Sequence, residues 1–94
     1  MIRSYGDSRT ARFARGERVA QFAAFRRQVE KTLDRLEAAV VLGDIAKFPE
    51  HHFEKLKSVR DDTYSVRINQ QWRLCFKWPS GSPGPEHVTI EDYH

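Results

Sequence analysis

The stretch "TYSVRINQQWRLCFKW", residues 63–78, decides the fold. Tyr64, Val66 and Ile68 alternate with Ser65 and Arg67, and Trp72, Leu74, Phe76 and Trp78 alternate with Arg73, Cys75 and Lys77. A period of two is the mark of a strand buried on one face only, because successive side chains point to opposite sides. Between the runs lies "NQQ", in which Asn69 tolerates a left-handed backbone, so the pair is expected to close as a tight hairpin. Its apolar face belongs to the core, with Trp72 and Trp78 read as core residues and not as a stacking platform. Its other face carries Arg67, Arg73 and Lys77 side by side, with no carboxylate of the same two strands among them. Cations gathered in this way await an anion.

Working outward, "PSGSPGPEH" (79–87) is a loop by its Pro and Gly content, and "VTIEDYH" (88–94) is a last strand. Strict alternation puts Asp92 and His94 on the side of Val88 and Ile90, and Glu91 and Tyr93 on the outer side. His94 reaches the cationic face if the strand twists or stops near Asp92. Upstream, "MIRSY" reads as a short first strand, turned by Gly6 and Asp7. Asp7 or Ser8 then caps a short helix that ends at Gly16. From about Arg18 to Leu42, the spacing of Phe22, Phe25, Val29, Leu33, Leu36 and Val40 predicts a longer helix with one apolar stripe, closed by Gly43. "DIAKFPEHH" (44–52) is a connector, since Pro49 forbids regular continuation. The order predicts an α+β fold: a small antiparallel (mixed) sheet packed on two N-terminal helices.

Length and composition agree. At 94 residues the chain suffices for a single domain, 1–94, with one modest core. No apolar run approaches a membrane span, and the start "MIRSYGDSRTARFARGER" lacks the apolar stretch of a secretory signal, so a cytoplasmic protein is expected. The lone Cys75 fits a reducing compartment and reads as a small strand residue. The net charge of +3 is mild, but Lys55, Lys57, Arg60, Arg67, Arg73 and Lys77 face only Asp61 and Asp62 within residues 55–77. Such a segment suits a polyanion such as nucleic acid, or is the solvated face of a strand.

The run "SVRINQQWRLCFKW" and the terminal "EDYH", after a strand-helix-helix start, resemble the HigB-type toxins of the RelE/ParE superfamily of toxin-antitoxin systems. The resemblance covers nearly the whole chain and implies a RelE-like fold. It also implies a ribosome-dependent endoribonuclease that cuts mRNA in the A site without a metal or other cofactor. The implied partners are the 70S ribosome, mRNA and a cognate HigA-like helix-turn-helix antitoxin. Cleavage by the 2′-hydroxyl requires a base, cations for the phosphorane charge and an acid for the 5′-oxygen. His94 titrates in the useful range and is the candidate acid or base. Tyr93 is placed to orient it or to stack on a base. Lys57, Arg60, Arg67 and Lys77 are candidate phosphate ligands, and Arg73 a candidate catalytic cation.

One departure changes the assignment. Many relatives read "HPLKG" before the hairpin where this chain has "FEKLKS", so Glu54 stands at the usual histidine and Ser58 at the usual glycine. Glu54 is then the candidate base, unless His51 or His52 replaces the missing imidazole; the bland reading of these two histidines is a pair of surface residues. The remaining histidines, His87 and His94, make a poor metal set. Two other functions compete: a ParE-like inhibitor of DNA gyrase without catalytic groups, and a nucleic-acid-binding module without chemistry. The terminal Tyr93 and His94 favour the ribonuclease.

Overall fold

The computed structural model describes residues 1–56 and 62–92. Its centre is the expected hairpin, β2 (Thr63–Arg67) and β3 (Trp72–Lys77), paired antiparallel from Thr63 opposite Lys77 to Arg67 opposite Arg73. The turn works differently from expectation. Asn69 is not among the described residues with positive φ; instead its side-chain oxygen accepts the N–H groups of Gln71 and Trp72, both at 2.8 Å. An Asx turn of this kind replaces the left-handed backbone.

β3 then pairs with β4 (Glu86–Asp92), from Trp72 opposite Asp92 to Lys77 opposite Glu86, with a register shift between Cys75 and Lys77. On the other edge, Glu54–Lys55 forms a two-residue β1 against Ser65 and Tyr64, an element the sequence pattern did not reveal. The sheet order is β1-β2-β3-β4, all antiparallel. "MIRSY" is not a strand: it contributes one parallel bridge, Tyr5 with Val88, supported by Gly6 N–H on Val88 O at 2.8 Å. This approach needs glycine, since a Cβ at Gly6 would meet Thr89 Cγ2 at 2.5 Å and the His87 ring at 2.9 Å.

The first helix, α1 (Ser8–Ala14), is capped as expected: Asp7 Oδ1 accepts Thr10 N–H at 2.7 Å, and Gly16 follows at φ +91°. The second is corrected in three places. A 3₁₀ segment, Ala20–Phe25, precedes the α-helix α2 (Arg26–Ala38), so the periodic stretch is not one helix. It stops before Val40, which is 74% exposed and not part of the core stripe. Gly43 opens a further short helix, α3 (Gly43–Ala46), instead of closing the previous one. The cause is Asp44, whose carboxylate accepts Val40 N–H at 2.9 Å and Val41 N–H at 3.1 Å and so turns the chain.

The apolar faces meet as the alternation requires. Phe22, Val29, Leu36 and Ile45 from the helical layer are fully buried together with Val66, Leu74, Phe76, Val88 and Ile90 from the sheet. α1 is sewn to β4 by Thr10, whose hydroxyl accepts Ile90 N–H at 3.0 Å. Among the described residues no helix is long and apolar enough to cross a membrane. With one face of the sheet committed to the core, the opposite face is left to function.

Candidate active site on the outer face of the sheet

Antiparallel register builds this face from rows of side chains. One row runs Arg67, Arg73, Glu91 across β2, β3 and β4; the next runs Glu54, Ser65, Cys75, Thr89; a third joins Thr63, Lys77 and Glu86. The expected cations therefore share the face, but carboxylates from the flanking strands stand among them. Glu54 and Glu91 interrupt what the hairpin alone would make a cationic patch.

Arg73 is the largest correction. It stands opposite Arg67, as the alternation requires, but does not await an anion: the residue is 4% exposed. Its Nε donates to Ser65 Oγ at 3.0 Å, and one terminal nitrogen donates to the carbonyl of His52 at 2.9 Å and lies 3.5 Å from Glu54 Oε1. The guanidinium is thus built into the sheet, and the carboxylate it holds, on β1, is exposed. Arg67, opposite Arg73 on β2, is half-buried, and Lys77 is half-buried at the far end of the face.

The two histidines of the connector also part company. His51 is not a surface residue: it is 2% exposed, with Nδ1 2.8 Å from Arg67 O and Nε2 3.1 Å from a terminal nitrogen of Arg35. Both ring nitrogens are engaged, so His51 is not available as a base. His52 is exposed and left-handed at φ 43°, and it meets the site through its backbone carbonyl on Arg73. Of the candidate bases, Glu54 and His52 keep access to solvent, and Glu54 is the one whose side chain meets Arg73.

Cys75 lies within the same face, and burial first, then the neighbouring Glu91, pushes its thiol up to about 12. It is an inert strand residue, as its spacing suggests.

β4 brings the chain to this end of the sheet. Asp92 pairs with Trp72, the first residue of β3, and accepts Gln71 Nε2 at 3.1 Å, on the core side that alternation assigns to it. The expectations for Tyr93, His94, Lys57 and Arg60 lie outside the described residues. Sequence reasoning missed Arg9, which donates to Ile90 O at 3.0 Å, near the end of β4, and lies over the rings of Phe22 and Trp72. It also missed the pairing of Arg73 with Glu91, although the outward phase of Glu91 was a signal for it. Among the described residues no three His, Cys, Asp or Glu side chains gather as a metal site.

Comparison with known proteins gives two findings. A family model described as the RelE-like toxin HigB of type II toxin-antitoxin systems matches residues 5–94. An uncharacterised protein of Haemophilus influenzae is 27% identical over 64 residues, which cover 68% of this chain and 63% of that protein. The match thus spans less than two thirds of that relative's length.

Proposed function

Because the chain belongs to the family of RelE-like HigB toxins of type II toxin-antitoxin systems, we propose that it is a metal-independent endoribonuclease that cuts mRNA in the A site of the translating ribosome. Its partner in the resting cell is a cognate HigA-like helix-turn-helix antitoxin. The observation that carries the reading is the outer face itself, where an exposed Glu54 is held by Arg73 at 3.5 Å and Arg67 pairs with Arg73. β4 ends beside this row, at Asp92, the residue before Tyr93 and His94.

The proposed roles derive from the needs of transesterification. Glu54 takes the proton of the 2′-hydroxyl, whose oxygen attacks the adjacent phosphorus. Arg67, with Lys57, Arg60 and Lys77, offsets the charge of the phosphorane. His94 gives a proton to the departing 5′-oxygen, and Tyr93 orients His94 or stacks on a base. Arg73 acts from within the sheet by holding Glu54, so it is a positioning residue on this reading. The face is mixed in charge, with Ser65, Arg73 and Cys75 buried at its centre, which suits RNA already held by the ribosome better than RNA captured from solution.

The test is induction without antitoxin, followed by primer extension. New 5′ ends within translated codons are expected. His94→Gln keeps size and hydrogen bonding but lacks the titratable proton, and its cleavage rate should fall by ~10²–10⁴ with ribosome association preserved. Growth arrest with intact mRNA and damaged DNA would favour gyrase inhibition instead. Full cleavage by a folded variant lacking His94 would remove that residue from the mechanism.

A further inference from the structure

His51 is the most deeply buried polar ring among the described residues, and nothing in the chemistry above uses it. Its bonds fix its protonation state by elimination. An arginine guanidinium can only donate, so the Nε2 that faces Arg35 at 3.1 Å is a lone-pair acceptor. The ring proton therefore sits on Nδ1 and is donated to the carbonyl of Arg67 at 2.8 Å. Arg35 is itself held by Glu50 at 2.9 Å and lies 3.8 Å over the Phe48 ring, against which His51 stands edge-on. The imidazole is thus a bracket between α2 and the last residue of β2.

The residues just after His51 give the bracket a purpose. The 3₁₀ turn Pro49–His51 ends on it, and His52 then takes a left-handed conformation that aims its carbonyl at Arg73. Two residues later, Glu54 enters β1 and reaches the same guanidinium. One ring therefore holds the main chain of Arg67 on one side and, on the other, precedes the residues that bring the His52 and Glu54 oxygens to Arg73.

We propose that His51 is a positioning residue for the outer face: as its Nδ1-protonated tautomer it fixes Arg67 and the turn through which His52 and Glu54 hold Arg73. The proposal deepens the ribonuclease reading and rests on it for its catalytic consequence alone. A second proton, on Nε2, would face the Arg35 guanidinium and remove one of its two acceptors, leaving Glu50. Burial, the largest influence, holds the ring below the usual imidazole range; the bond to the Arg67 carbonyl opposes this, Arg35 and Lys31 of α2 add to it, and Glu50 works against it. The bracket is therefore closed at neutral pH and opens in acid.

The experiment uses the ¹⁵N-labelled full chain and reads two kinds of signal. In the parent, His51 should show a protonated Nδ1 and a bare Nε2, and the Arg73 Nε–H resonance should move when His51 titrates. His51→Phe keeps a ring but neither bond; the Arg73 resonance should shift at all pH values, and single-turnover cleavage of ribosome-bound mRNA should fall by roughly 10- to 100-fold, the scale of a small misplacement. His51→Asn restores an N–H near the Nδ1 position and should recover most of the rate, with an Arg73 resonance that no longer responds to mild acid. A parent ring protonated on Nε2, or a folded His51→Phe with the parent's Arg73 resonance and rate, overturns the proposal. If the parent cleaves no RNA, the ribonuclease reading fails, whereas the tautomer and the Arg73 resonance still decide the positioning role.

Discussion

Arg73 and Arg67 face each other across one pair of the sheet and have opposite energetic characters. Removing Arg73 leaves Ser65 and the His52 carbonyl without their donor inside the sheet and frees Glu54 from its counter-charge. Arg73→Met, close in length and apolar, should cost about 2–4 kcal/mol in urea denaturation, since the lost bonds are charge-assisted and buried. Arg67→Ala should cost about 1 kcal/mol or less, because its backbone, not its charge, makes the contact with His51. Its effect should appear in binding: the slope of log affinity for RNA against log salt should fall by about 0.7–0.9, the release of one phosphate contact. An unchanged slope would assign Arg67 to structure alone. Cys75 offers a check on the burial of the same face. With its thiol pushed up to about 12, modification by a thiol reagent at about pH 8 should track the unfolding equilibrium. Fast labelling of the folded protein would mean that the centre of the face is open.

At the scale of elements, the joint between α1 and β4 is the one that a single atom tests. Thr10 is fully buried and its hydroxyl is the acceptor for Ile90 N–H, in the stretch of strand that leads to the end of β4. Thr10→Val keeps the shape and removes the acceptor, so about 1–3 kcal/mol of stability should be lost, read as a lower urea midpoint at constant slope. A neutral result would mean that β4 holds its course without α1. The elements that local rules specify were legible: the alternation of β2 and β3, the Asp7 cap and the Gly16 stop depend on residues within a few positions of one another. The elements set by distant partners were not. β1 is two residues long and exists because Ser65 and Tyr64 pair with it. The 3₁₀ start of the second helical stretch carries Phe22 and Phe25, whose rings both lie 5.6 Å from Trp72, half the chain away. The same distinction divides the site. The outward phases of Arg67 and Lys77 are each a property of the residue's own strand, whereas the burial of Arg73 and His51 depends on groups from β1, β2, α2 and the connector that no spacing rule brings together.

For the whole molecule, these buried and paired groups set a window of pH in which the fold is most stable. Burial holds the His51 pKa below its ordinary 6.5, so below that value the unfolded chain binds a proton that the folded chain refuses. Stability is therefore fully present above about 6.5 and is lost as pH falls toward the lowered value. Glu50, held low first by the Arg35 hydrogen bond, and Asp44, held low first by the Val40 N–H, add a second loss below the ordinary carboxylate range. The alkaline limit has the opposite sign. Cys75 is raised from 9.0 to about 12, and Tyr5 is raised from 10.0 by burial and by Glu37, so the unfolded chain releases protons that the folded chain keeps. Stability should thus form a plateau between about pH 6.5 and 9 and decline on both sides, measured as the urea midpoint against pH. Replacing His51 with Asn should remove the first step of the acid decline and leave the carboxylate step in place. An acid decline with the same onset in parent and His51→Asn would mean that the buried imidazole takes up its proton as readily in the folded chain as in water, and the bracket between α2 and β2 would then be no barrier to acid.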